Sequence, residues 1–325
     1  MQLPRERGPI SRHVIGSLVR TQDEAGPIAI GAAEVLDDGD AQLALWILYE
    51  LHYRGFDEVA EDREWDLGLL RLRKTLERRF EHELRRAVGS VPVASGTGDV
   101  SAQLLELIAA DDSPPVAAFL HRTASREHIV DFLRERSVQQ LKESDPQSFV
   151  LPRIGGAAKA ALAELQYDEY GGGRPERLHS TLFADALRAA GLDDSYGAYT
   201  DDVSALSLAN ANAMSLFGLQ RRLRGAAMGH LAAFEATSSV PARKIAAGIE
   251  RVGLPDAVAA YFHEHVEADA VHEQVALHDI CGRLVEEDPT LGADVLFGAA
   301  TCLHLAALSG AELLERWSGE LEVAS

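Results

Sequence analysis

The chain has 325 residues, enough for one large domain or one domain with an extension. Its net charge of −20, from 31 basic and 51 acidic side chains, argues against nucleic acid or an anionic membrane as the main partner, since both need a basic surface. Cys281 and Cys302 form no CxxC pair and no disulfide framework, so the chain reads as cytosolic and reduced.

The N-terminus, MQLPRERGPI, lacks the apolar run of a signal peptide. The longest apolar stretch, Val295 to Ala307, is interrupted by His304 and is too short to span a bilayer. Apolar residues recur at helical spacing nearly everywhere and strand-like alternation is almost absent, so an all-α protein is predicted.

In chain order, residues 1–30 contain Pro and Gly and are expected to be extended. Residues 41–54 and 64–88 are predicted amphipathic helices. The second places Trp65, Leu69, Leu72, Leu76 and Phe80 at three- and four-residue steps opposite a face rich in Arg and Glu. That stripe must pack somewhere, and a contact between two copies in a homodimer is the expectation. Residues 89–99 read as a loop, followed by helices over 101–111 and 115–142, and Asp145-Pro146 breaks the chain. Residues 155–190 are predicted helical on both sides of Gly171-Gly172-Gly173. Helices then follow at about 202–236, 241–250, 255–284 and 289–318.

The segment over 255–284 carries the most informative pattern, His265-x-x-x-Asp269-x-x-His272. Residues at i, i+4 and i+7 share one helix face, so two imidazoles and one carboxylate can serve one metal ion. Two His and one carboxylate with open positions suit non-haem Fe(II) that handles O₂. A solvated acidic helix with scattered His would share part of the pattern, and some of His263, Glu264, Glu267, Glu273 and His278 must simply be solvated. Glu143, Glu169, His179 and Glu235 are the other positions that stand out. Glu235 lies on an otherwise apolar surface, where a buried carboxylate needs a cation or a partner.

The constellation Glu143, Glu169 and His179 ten apart, Glu235, then His265, Asp269 and His272 resembles that of the haem-oxygenase-like diiron oxidases and oxygenases, the iron-containing redox enzymes. The flanking YDEYGGGRPERLH, GLQRRLRGAAMGHLAAFE and HEHVEADAVHEQ are similar to those of its actinobacterial branch. The likeness covers about residues 90–318 and implies a haem-oxygenase-like bundle of about seven helices over 89–325, with 1–88 as an N-terminal helical extension. It also implies two Fe ions on those seven residues, with O₂ as co-substrate. One iron would take Glu169, His179 and Glu143. The other would take His265 and His272, with Asp269 and Glu235 adding carboxylates to one or both ions. A ten-residue step turns an ideal helix so that Glu169 and His179 stand about 80° apart. Gly171–Gly173, with Pro175 after it, is the expected site of the distortion that reunites them.

The family's substrates are amino acids, fatty acids or related small molecules, and its reactions are N-oxygenation, desaturation and oxidative C–C cleavage. A small-molecule substrate and an electron donor, a reductase or ferredoxin-like protein, would be the partners. Arg221, Arg222 and Arg224, near His230, are candidates to pair with a substrate carboxylate, although ion pairs with surface acids explain them as well. Asn210 and Asn212 are weaker candidates, and His52 beside Glu50 reads as part of a packing helix. Two other functions compete. One is a haem-oxygenase-like or thiaminase-like protein without diiron. The other is a non-catalytic iron-binding bundle.

Overall fold

The computed structural model describes residues 1–19, 28, 31, 34–89 and 99–323, apart from the side chains of 267–270 and 320–323. Among the described residues there are helices and turns and no strands. The N-terminal part holds α1 (Pro9–Leu18), α2 (Gly39–Glu50), α3 (Leu67–Val88) and α4 (Val100–Ala109). The middle holds α5 (Val116–Arg122), α6 (Arg126–Gln140), the single turn α7 (Asp145–Ser148), α8 (Gly156–Glu169) and α9 (His179–Ala190). The C-terminal part holds α10 (Ala205–Leu219), α11 (Arg224–Ala236), α12 (Ser239–Arg251), α13 (Asp256–Gln274), α14 (Arg283–Glu287) and α15 (Gly292–Val323).

Local chemistry explains most of the boundaries. Asp38 and Asp66 cap α2 and α3 by accepting hydrogen bonds from first-turn amides, and Ser125 and Ser204 do the same for α6 and α10. Several expectations change. Residues 1–30 are not simply extended: Pro9 opens α1, and Ile10, Val14 and Leu18 turn one face to the core. The Ser125 cap divides the 115–142 helix, and a turn at Gln220–Leu223 divides 202–236. Most of the expected loop at 89–99 lies outside the described residues. Residues 255–284 do run on as one rod, but Val275–Gly282 is π-helical.

The apolar stripe of α3 is covered within the chain itself. Leu69, Leu72, Leu76, Phe80 and Leu84 are buried in the same core as α2, α10, α11 and α15, while Trp65 is 66% exposed. The stripe is therefore not free to meet a second copy, and the physical basis for expecting a dimer contact there is gone. α15 is longer than its apolar stretch suggested. By length and composition Pro289–Gly319 could cross a membrane, yet 67% of its most apolar window is buried against the other helices. It packs closest on α11: a Cβ at Gly229 would stand 1.8 Å from the Val295 carbonyl oxygen, and one at Gly298 1.9 Å from that of Ala226.

The described side chains form two cores. The larger joins α1–α4, α8, α10, α11, the π-helical segment and most of α15. The smaller joins α5, α6, α9, α12, α13 and the C-terminal part of α15 around Leu313 and Trp317. The helices carrying the candidate ligands face each other across the boundary.

Candidate metal centre

On each ligand-bearing helix the polar residue continues an apolar stripe. Leu162, Leu165 and Glu169 follow one face of α8, Met228, Leu231 and Glu235 one face of α11, and Val258, Tyr261, Phe262, His265 and His272 one face of α13. Folding that buries the stripes therefore buries the ligands. The carboxylates of Glu169 and Glu235 come from the larger core, and the imidazoles of His179, His265 and His272 from the smaller. Glu143 is added by the turn between α6 and α7.

The expected distortion lies where the glycines are. α8 ends at Glu169, and Gly171, Gly172 and Gly173 all take positive φ, of 74°, 61° and 79°. α9 then begins at His179. Glu169 and His179 thus sit at the facing ends of two helices, and the 80° offset of a continuous helix does not arise. His179 Nδ1 is 3.1 Å from Glu169 Oε2.

Six of the seven expected ligands converge in two groups, Glu143/His179/His265 and Glu169/Glu235/His272, with the ligand atoms of each group within 4.8 Å of one another. None of the six side chains is more than 8% exposed. Asp269 lies on α13 between the two histidines, but its side chain is outside the described residues. The division differs from the expected one, because His265 and His272 fall in different groups. Seven residues of helix rise about 10 Å, and at that separation His265 meets Glu143 while His272 meets Glu169 and Glu235. Glu169 joins the groups: its Oε2 faces His179, and its Oε1 is 3.3 Å from His272 Nδ1. Glu235 Oε2 is 3.5 Å from the same nitrogen.

The residues suit metal ions. Three buried carboxylates meet three imidazoles, and among the described residues no Lys or Arg pairs with any of them. The Nδ1 atoms of His179 and His272 are buried without a hydrogen bond of acceptable geometry. Burying three carboxylates in so small a space is costly unless cations share it, and bound metal ions would meet that need. The titration directions reflect the same crowding. Burial works to push the Glu169 carboxyl up, but His179 and His272 together hold it below the usual range. Burial works to lower His272, yet Glu169 and Glu235 raise it to about 11. Glu235 goes up, chiefly through burial.

Supporting groups aim the ligands. His265 Nδ1 lies 2.8 Å from the Tyr261 carbonyl, which turns Nε2 towards Glu143 at 3.7 Å. His272 Nε2 lies 3.6 Å from Asp168. A His that meets a metal through one nitrogen and a carbonyl or carboxylate through the other is a recurrent arrangement. Tyr261 Oη donates to Glu143 Oε2 at 2.8 Å, Gln140 Nε2 donates to Oε1 at 3.1 Å, and Ser144 Oγ donates to Glu169 Oε2 at 2.8 Å. Sequence reading missed Gln140, Ser144 and Tyr261. Tyr261 shares the His265 face four residues earlier, which was a usable signal, whereas Ser144 has none.

The remaining candidates are elsewhere. Arg222 makes two bonds to Glu81, and Arg224 pairs with Asp288 at 3.1 Å, so both serve as ion pairs with acids of neighbouring helices. Neither lines the cavity beside the carboxylates, whose walls include Gln139, Gln147, Met214, Leu231 and Phe234. His230 lines a second small cavity with Met214 and Phe217, and burial lowers it to about 4. Asn210 donates to Ser309, and Asn212 donates to Gln42 of α2. His263 is exposed and pairs with Glu250, and His278 is exposed.

No curated protein matches the sequence. The profile of the iron-containing redox enzymes matches residues 130–307, more than half of the chain and all six converging ligands, so the chain belongs to that family and has its haem-oxygenase-like all-α fold.

Proposed function

We propose that the protein is an O₂-dependent, non-haem diiron oxidoreductase. The observation that carries this reading is the Glu169 carboxylate, one oxygen on each of two buried ligand groups. Glu143, His179 and His265 would hold one ion, and Glu235 and His272 the other. Glu169 would bridge them, with Asp269 as a further ligand. When bound, the iron pair supplies the electrons that activate O₂.

The chain's own groups do the rest. Tyr261, Gln140 and Asp168 hold the first ligands in orientation. Met214, Leu231 and Phe234 give an apolar wall to the small cavity beside the carboxylates. The substrate is an amino-acid-like or fatty-acid-like molecule, and the reaction an N-oxygenation, desaturation or oxidative C–C cleavage. A reductase or ferredoxin-like protein would return electrons.

The thiaminase-like alternative needs a thiolate, but burial pushes Cys281 and Cys302 up to about 12. A haem needs one axial His and has no use for three buried carboxylates. The experiment is anaerobic Fe(II) titration followed by O₂ exposure with candidate amino and fatty acids. Two irons per chain, no Soret band and substrate-dependent O₂ uptake are expected. A Soret band, or iron accumulating far beyond two per chain, would defeat the reading.

A further inference from the structure

Lys142, the residue before Glu143, is one of the largest fully buried side chains in the protein. Its ammonium lies 2.8 Å from Glu50 Oε1, and both side chains are 0% exposed. The other Glu50 oxygen accepts a hydrogen bond from Tyr196 at 2.8 Å, and Lys142 also sits over the Tyr53 ring. Glu50 is the last residue of α2, which precedes the segment matched by the family profile. A buried ion pair adds little stability over apolar residues of the same volume, and in some proteins it serves to fix geometry instead.

The geometry here is that of the turn carrying Glu143. Ser144 follows with φ 70°, a left-handed conformation that a residue with a side chain keeps only when its surroundings hold it there. On one side Gln166 Nε2 donates to the Ser144 carbonyl at 2.7 Å, and Ser144 Oγ donates to Glu169. On the other side the tether is Lys142 to Glu50. The turn thus presents Lys142 to α2 and the next two residues, Glu143 and Ser144, to the ligands.

We propose that Glu50 is a positioning residue of the metal centre: through its buried pair with Lys142 it locks the 141–145 turn, so that Glu143 and Ser144 face the other ligands. The inference rests on Glu143 being a metal ligand, as proposed above. It makes the N-terminal helices part of the machinery of the site.

The test is anaerobic Fe(II) titration, with Co(II) absorption as a second readout of ligand geometry, on wild type and on the double variant Glu50→Leu/Lys142→Met. Removing both charges together avoids stranding one, so the melting temperature should stay near wild type. One of the two metals should bind at least about tenfold more weakly, the size of effect seen when support around a ligand is lost, with the other unchanged. Two metals bound with wild-type affinity would overturn the proposal while leaving the diiron reading intact. If wild type itself does not take two metals, both fall. Should the double variant not fold, Glu50→Gln takes its place: the same selective loss is expected, and unchanged binding at both positions overturns the proposal.

Discussion

At the residue scale, one helix face serves two ligand groups rather than one. His265 and His272 are on the same side of α13 but in different groups, bridged by Glu169. His265→Ala or His272→Ala should each lower bound iron from two per chain to about one, by metal analysis after gel filtration. His263→Ala should retain two, because His263 is exposed on Glu250. His230 supports a different measurement. An unfolded His titrates near 6.5, while burial holds folded His230 near 4. As pH falls from 6.5 to 4 the unfolded chain takes up a proton that the folded chain refuses, so stability falls across that window and levels below it. The difference corresponds to about 3 kcal/mol. Urea denaturation from pH 7 to 4.5 should show a shallower loss in His230→Phe than in wild type. Equal slopes would contradict the account.

At the scale of elements, the site depends on where helices end and how closely they approach. Gly171 is needed twice over. Its φ is 74°, and a Cβ there would meet the Arg177 carbonyl carbon at 2.6 Å. The strain falls on the link between Glu169 and His179. Gly229 matters through packing, since α11 and α15 touch backbone to backbone there. Gly229→Ala should cost about 1–3 kcal/mol by overpacking. It should also weaken metal binding, because Glu235 lies less than two turns further along the displaced helix. Thermal denaturation and metal titration check the two parts separately, and an unchanged melting temperature would argue against the close contact.

At the scale of the whole molecule, two cores meet at the ligands, and the N-terminal helices complete the larger one. Phe80 of α3 is fully buried in it. Phe80→Ala should therefore cost about 3–5 kcal/mol, read as a lower denaturant midpoint, without a change in oligomeric state. A shift in assembly with unchanged stability would mean that α3 meets a second copy after all.

Helical periodicity, the absence of alternating strands and the shared helix face of His265 and His272 were legible because they are local: a helix face is set by residues three and four apart. The glycine run marked the break between Glu169 and His179 for the same reason, since no residue with a side chain holds positive φ as readily. Tertiary structure alone decided the rest. Which histidine joins which carboxylate depends on the facing of α8, α9, α11 and α13 across two cores. Whether Arg222 and Arg224 meet a substrate or Glu81 and Asp288, and whether the α3 stripe meets a partner or its own core, depends on contacts between residues far apart in the chain. Ser144 and Lys142 carry no local signal. Their roles arise from a left-handed turn and a buried charge pair that exist only once α2, α8 and α10 have closed around them.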